Sequence, residues 1–222
     1  MSAFREPLRA GAQLAIAGLV ATLLLAGTWA LTRDRIVAAE RRAQMQALEI
    51  VLPPDRYDND LIADTVQVQA AAWLGRESAT VHRAQLRGQP SALVLQTSAP
   101  DGYAAPIHLL VAVDQDGRVL GVRVTAHQET PGLGDDIETG RSDWITRFDG
   151  RSLGDPSTEN WAVRKDGGRF DQFAGATVTP RAVVRAVKRC LDFVARHGDE
   201  IRAAPPGATL RFDSAPDDFR PR

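Results

Sequence analysis

The sequence predicts an α+β protein: a single N-terminal transmembrane helix, then one domain with a central, mainly antiparallel sheet. Three observations predict it. The stretch between Arg9 and Arg33 holds 23 residues and no charge. Two apolar runs flank the turn "DQDG" at 114–117. An amphipathic helical pattern then follows, separate from the strands. Strands followed by segregated helices belong to the α+β class.

At ~1.5 Å per residue the uncharged stretch spans roughly 34 Å, enough for a bilayer core of about 30 Å. A cleaved signal peptide has a shorter apolar region and a small-residue cleavage site, so a retained anchor is expected. Trp29 stands near its outer end, where an interfacial aromatic is favoured. The stretch has no ionisable side chain, which argues against its being an ion path. Arg5 and Arg9 precede it, and Arg33, Arg35, Arg41 and Arg42 follow. A count of flanking cations puts the domain in the cytoplasm, but long domains translocate largely regardless of such charge. Charge alone leaves the side open.

Residues 33–52 read as a helix continuing out of the membrane and ending before Pro53-Pro54. "SALVLQT" (91–97), "PIHLLVAV" (106–113) and "RVLGVRVTAH" (118–127) read as strands, the last two joined as a hairpin through the Asp-Gly turn. Val183, Val184, Val187, Leu191 and Val194 share one helical face. Thr179-Pro180 is the expected start of that helix, as N-cap and first residue, and His197-Gly198 its expected stop. The expected division is a tail and transmembrane helix over 1–32, a juxtamembrane helix over 33–52, the domain over 53–212 and a loose tail over 213–222.

Composition narrows the chemistry. The formal charge is −1 and no basic stripe with interleaved aromatics occurs, so nucleic acid is not an expected partner. The lone Cys190 excludes an internal disulfide, a self-contained iron–sulfur cluster and a thiolate zinc site. The four histidines show no metal-ligand spacing. Any redox carrier must therefore be an organic cofactor.

The tripeptide Gly-Ala-Thr occurs twice, at 175–177 and 207–209. The first copy precedes the amphipathic helix, whose start offers unpaired N–H groups and a positive dipole end to a phosphate. Gly175 and Ala176 let a ligand approach the backbone closely. The second copy follows Pro205-Pro206 and opens no helix, so it reads as a turn.

The stretch "DQFAGATVT" (171–179) resembles the flavinylation motif of proteins that carry covalent FMN. That motif runs Asp, two residues, Ser or Thr, then Gly-Ala-Thr, commonly with a further hydroxyl residue two positions on. The resemblance implies FMN esterified through its phosphate to Thr177 by a dedicated flavin transferase, with Asp171 in the recognition stretch. Ala174 departs from the motif, where Ser or Thr is usual. Thr209 fails it twice, with Ala203 at the aspartate position and Arg211 at the second hydroxyl.

The likeness extends further. "WAVRKDGGRFDQFAGATVTPRAVVRAVKR" (161–189), "HQETPGLGDDIE" (127–138), "SDWITRF" (142–148) and the N-terminal anchor resemble the G subunit of the Rnf (Rsx) ion-translocating electron-transport complex. This implies a single-pass subunit of a bacterial inner membrane with an FMN-binding domain in the periplasm. It implies an electron relay among other Rnf-type subunits, in a complex coupling electron transfer between ferredoxin and NAD to sodium or proton movement. The chain has no ferredoxin, nicotinamide or cluster motif, so it is not expected to catalyse the overall reaction alone. Glu129, Thr130, Gly132 and Leu133, in a loop that lies by the flavin in the family, become expected contacts. Lys165 is the expected additional cation, and Thr179 joins the phosphate site. Trp144 is expected in the core. The alternatives are the C subunit of the sodium-translocating NADH:quinone reductase, which shares anchor and FMN domain, and a membrane-anchored assembly or binding module without cofactor.

Overall fold

A computed structural model describes residues 5–213, and the side chains of 11 and 13–213. Two compact units compose the chain, Met1–Gln44 and Met45–Arg222. Residues 214–222, most of the expected loose tail, lie outside the described residues.

Helix α1 runs from Arg5–Glu49 without a break, so the juxtamembrane segment does continue the apolar helix. From Gln13 it is long and apolar enough to cross a membrane, and none of its apolar window is buried in protein. The hydroxyls of Thr22, Thr28 and Thr32 donate to carbonyls one turn back, which masks their polarity in lipid. The Arg33 guanidinium lies over the Trp29 ring at 5.3 Å, a pairing suited to an interface.

In the second unit, six strands form one sheet in the order β5-β4-β3-β2-β1-β6. They are β1 (Thr65–Gln69), β2 (Ala79–Leu86), β3 (Gln89–Ala99), β4 (Ile107–Asp114), β5 (Val119–Ala126) and β6 (Thr209–Arg211). All neighbours are antiparallel except β1 and β6. The β4–β5 hairpin closes as expected. Gly117 takes φ +74°, and the Asp114 carboxylate accepts from the amides of Asp116 and Arg118.

Both faces of the sheet are covered, because alternate residues of β3 and β4 are apolar on both sides. Leu93, Leu95, Leu109 and Val111 pack under helix α3 (Val178–Ala203), with Trp73 of the short helix α2 (Ala71–Leu74). Val94, Leu110 and Ala112 face Leu48, Val51, Leu52 and Leu61 on the other side. There Gly121 is required: a Cβ would stand 2.7 Å from the Val51 carbonyl oxygen.

Both expected ends of α3 are corrected. The helix starts two residues early, with Thr177 as N-cap and Val178 as first residue. Thr179 is no cap, because its hydroxyl donates to the Glu129 carboxylate. Pro180 is tolerated because the first-turn amides have no intrahelical partner. Nor does the helix stop at His197-Gly198; it continues to Ala203 because Ile201 is buried in the core. Buried Arg83 closes that end. It donates to Asp64 at 2.7 Å and to the Ile201 and Arg202 carbonyls at 3.3 and 3.1 Å, satisfying terminal groups that otherwise lack partners.

Candidate functional site

The two copies of Gly-Ala-Thr fold differently. In the second, Gly207 takes φ +77° and Thr209 is the first residue of β6. Its backbone is consumed by pairing with β1: Gly207 donates to Thr65 O at 2.7 Å, and Ala208 O accepts from Gln67 at 2.8 Å. In the first copy, residues 173–176 make a turn in which the Ala176 amide donates to Phe173 O at 3.2 Å. Gly175 is its third residue with φ +78°, the positive angle that a type II turn requires there. Ala174, second in the turn, is exposed.

Thr177 follows directly. It is half-buried, and its hydroxyl makes no capping bond to α3. Among the described residues, the amides of Thr177, Val178 and Thr179 have no hydrogen-bond acceptor either. A free hydroxyl thus stands beside three free N–H groups at the positive end of a 26-residue helix.

Glu129 ties three segments to this point. It is 5% exposed. One carboxylate oxygen accepts from the Thr179 hydroxyl; the other accepts from the Tyr103 amide at 3.0 Å and the Ala104 amide at 3.5 Å. Gly134 presses on the pair: a Cβ there would lie 2.9 Å from both Glu129 Oε2 and Thr179 Oγ1. The Glu129 amide donates to His127 Nδ1 at 3.1 Å, which leaves His127 Nε2 to donate to Glu138 at 2.6 Å.

The turn at Pro131-Gly132 forms as expected, with Gly132 at φ +77° and the Leu133 amide donating to Thr130 O at 3.1 Å. The Gly132 amide is used within the loop, donating to Asp135 at 2.6 Å. Leu133 reaches over the 173–176 turn, its Cδ2 lying 3.6 Å from where a Gly175 Cβ would be. Leu133 is 44% exposed and Val178, next to Thr177, 41%; Tyr103, whose amide Glu129 holds, is 72% exposed.

The segment before the turn is pinned from below. Trp144 is buried, and its indole N–H donates to Asp171 O at 2.8 Å. Its ring meets Phe173 edge-on at 5.2 Å. The Asp171 carboxylate is paired with Arg147 and with Arg164, the latter at 2.9 Å. Lys165 is exposed, and its ammonium makes no ion pair among the described residues. Its neighbour Asp166 is held by Arg181 of α3 through two bonds of 2.6 and 2.8 Å. That pairing holds the Asp166 carboxyl below its usual range and raises the guanidinium.

Of the residues expected from sequence, the fold brings together Glu129 with Thr179, and Leu133 with Gly175. It leaves Thr177, Leu133, Thr130 and Lys165 accessible and turns Glu129 and Thr179 inward. Tyr103, Val178, Arg147 and Arg164 were not anticipated. An aromatic in the polar turn "PDGYAAP" was the available signal for Tyr103. Nothing local marked the two arginines. A cleft of about 380 Å³ lies elsewhere, between the outer edge of β5 and residues 138–140.

Residues 102–192 match the FMN-binding domain family, and residues 1–51 match the RnfG N-terminal region. The G subunit of the ion-translocating oxidoreductase complex from Pseudomonas aeruginosa (strain UCBPP-PA14) is 52% identical over 190 residues, covering 85% of this chain and 89% of that protein. The corresponding G subunits of Aliivibrio fischeri and Vibrio atlanticus are each 44% identical, over 86% and 88% of this chain and 92% and 93% of their own lengths. This chain therefore belongs to the family of G subunits of the ion-translocating oxidoreductase complex, with an FMN-binding domain behind a membrane-anchoring helix.

Proposed function

We propose that the protein is the electron-relay subunit of an Rnf-type ion-translocating ferredoxin:NAD oxidoreductase complex, carrying FMN covalently on Thr177. The observation that carries this reading is the free Thr177 hydroxyl beside three free amides, next to exposed Val178 and a turn over which Leu133 reaches. The fit is specific in kind. The phosphodiester on Thr177 places two non-bridging oxygens, sharing one negative charge, where the amides of 177–179 and the α3 dipole favour them. Lys165 adds an unpaired cation. Leu133, Val178 and Tyr103 offer the apolar surface a ring system needs, and Gly175, Ala176 and Thr130 leave room beside them. Glu129, Gly132 and Thr179 frame the site: they hold the Tyr103 turn, the 130–134 loop and the helix start in register.

In forming the ester, Thr177 Oγ1 bonds to the phosphorus of an activated flavin phosphoanhydride. The anhydride P–O bond breaks, the departing phosphate keeps its electron pair, and the hydroxyl proton passes to solvent. A dedicated flavin transferase performs this step. Once bound, flavin supplies one- and two-electron transfer, and the protein sets its position and surroundings. The chain acts as a redox subunit and depends on the other subunits for the overall reaction. Residues 1–32 anchor it, 33–52 lead out of the membrane and 53–212 carry the flavin. The domain lies in the periplasm of a bacterial inner membrane. A C-terminal reporter that is active only after export tests that side; an inactive reporter on a stably produced protein overturns it.

Full-length protein made in cells containing a flavin transferase tests the attachment. After denaturing electrophoresis the band is expected to fluoresce as flavin. Thr177→Ala abolishes the fluorescence and Thr209→Ala keeps it. A dark wild-type band overturns the covalent reading and favours the cofactor-free assembly module.

A further inference from the structure

Asp171 opens the motif, and its surroundings say how it works. Both of its carboxylate oxygens are engaged, Oδ2 by Arg147 and Oδ1 by Arg164. The two arginines come from separate short 3-10 turns, Trp144–Phe148 and Arg164–Asp166. The same segment is held at its backbone by Trp144, through Asp171 O, and by the Arg164 amide, which donates to Phe170 O at 2.7 Å. Gln172 accepts from the Lys165 amide at 3.3 Å, and the Phe173 ring packs on Trp144. The acceptor turn begins at Phe173, so every contact of residues 170–173 bears on where Thr177 is presented.

We propose that Asp171 serves modification of Thr177 as a positioning residue, acting through Arg147 and Arg164, and is not itself read by the flavin transferase. This rests on the assignment of Thr177 as the FMN acceptor. With each oxygen already in an ion pair and the side chain only 32% exposed, the Asp171 carboxylate offers fewer of its lone pairs to donors from a second protein than a free carboxylate does. Two arginines left beside the turn without the carboxylate would also repel one another, so losing Asp171 loosens both flanking segments together.

The test uses the full chain, coexpressed with the transferase, and measures the fraction carrying FMN by intact mass. Asp171→Asn and the double variant Arg147→Ala/Arg164→Ala are expected to fall together, each at least about fivefold below wild type. Arg147→Lys/Arg164→Lys, which keeps both charges, is expected to recover most of the loading. Thermal unfolding of the unmodified proteins separates this from collapse of the fold: the Lys pair and the Ala pair are expected to unfold within a few degrees of each other while differing in loading. If Asp171→Asn lowers loading but the Ala pair is loaded like wild type, the carboxylate is read directly and the proposal fails. Equal loading of the Lys and Ala pairs, both low, also overturns it, because charge pairing then has no part. A wild-type protein without FMN, or FMN retained in Thr177→Ala, overturns the acceptor assignment instead.

Discussion

Replacing Glu129 by alanine tests the frame of the site. The carboxylate is buried and takes the Thr179 hydroxyl and the Tyr103 amide as its two good donors, with Ala104 at 3.5 Å contributing less. Gly134 packs so closely on the pair that water has little room to replace it. With ~1.5 kcal/mol for each of two hydrogen bonds to a charged acceptor, Glu129→Ala costs about 3 kcal/mol. For a domain of this size, 1 kcal/mol moves Tm by roughly 2–4 °C, so a fall of about 6–12 °C is expected. Glu129→Gln keeps one acceptor oxygen and should lose about half as much. Thermal unfolding of the detergent-solubilised full chain, followed by near-ultraviolet circular dichroism, measures this. A fall below about 3 °C for Glu129→Ala would mean that the carboxylate is not the tie between the Tyr103 turn, the 130–134 loop and α3.

Other outcomes follow from the same geometry. Gly175→Ala forces a side chain into φ +78°, a cost of about 1–2 kcal/mol, and should displace the turn before Thr177 enough to lower FMN loading severalfold by intact mass. Unchanged loading would show that the turn does not set the acceptor. Burial pushes the His82 imidazole below its ordinary pKa, although its ring nitrogen reaches Leu61 O at 2.8 Å. The unfolded chain then binds the proton more readily, so stability is complete above about pH 6.5 and falls as pH drops below it. Urea midpoints at pH 7.5 and 5.5 should show that loss, and His82→Gln should reduce it; an equal loss in both proteins refutes the assignment. Burial pushes the Cys190 thiol up to about 12. It should resist maleimide in the native protein and react after denaturation, and rapid native labelling would contradict its place on the buried face of α3.

Much of this was legible because the relevant signals are local. The charge-free run, the Asp-Gly hairpin and the Pro131-Gly132 turn each follow from a few neighbouring residues, and each formed. Strand β2 was not legible: "ATVHRAQL" carries His82 and Arg83, and only the distant Asp64 and the end of α3 explain why a guanidinium is buried there. The ends of α3 failed for the same reason. Thr179 looks like a cap until Glu129, fifty residues away, claims its hydroxyl, and Gly198 looks like a stop until Ile201 proves to be core. At the site, the motif marked Thr177 and Asp171. The partners that give them geometry, Tyr103, Arg147 and Arg164, come from other loops and become visible only when the chain is folded.

The central claim is the bond at Thr177. Trypsin cuts after Arg169 and Arg181, releasing the peptide 170–181 that contains it. Mass spectrometry of that peptide from wild-type protein should show the mass of FMN less one water, with fragmentation placing it on Thr177. The same peptide without added mass, from cells that flavinylate a known acceptor, would contradict the account.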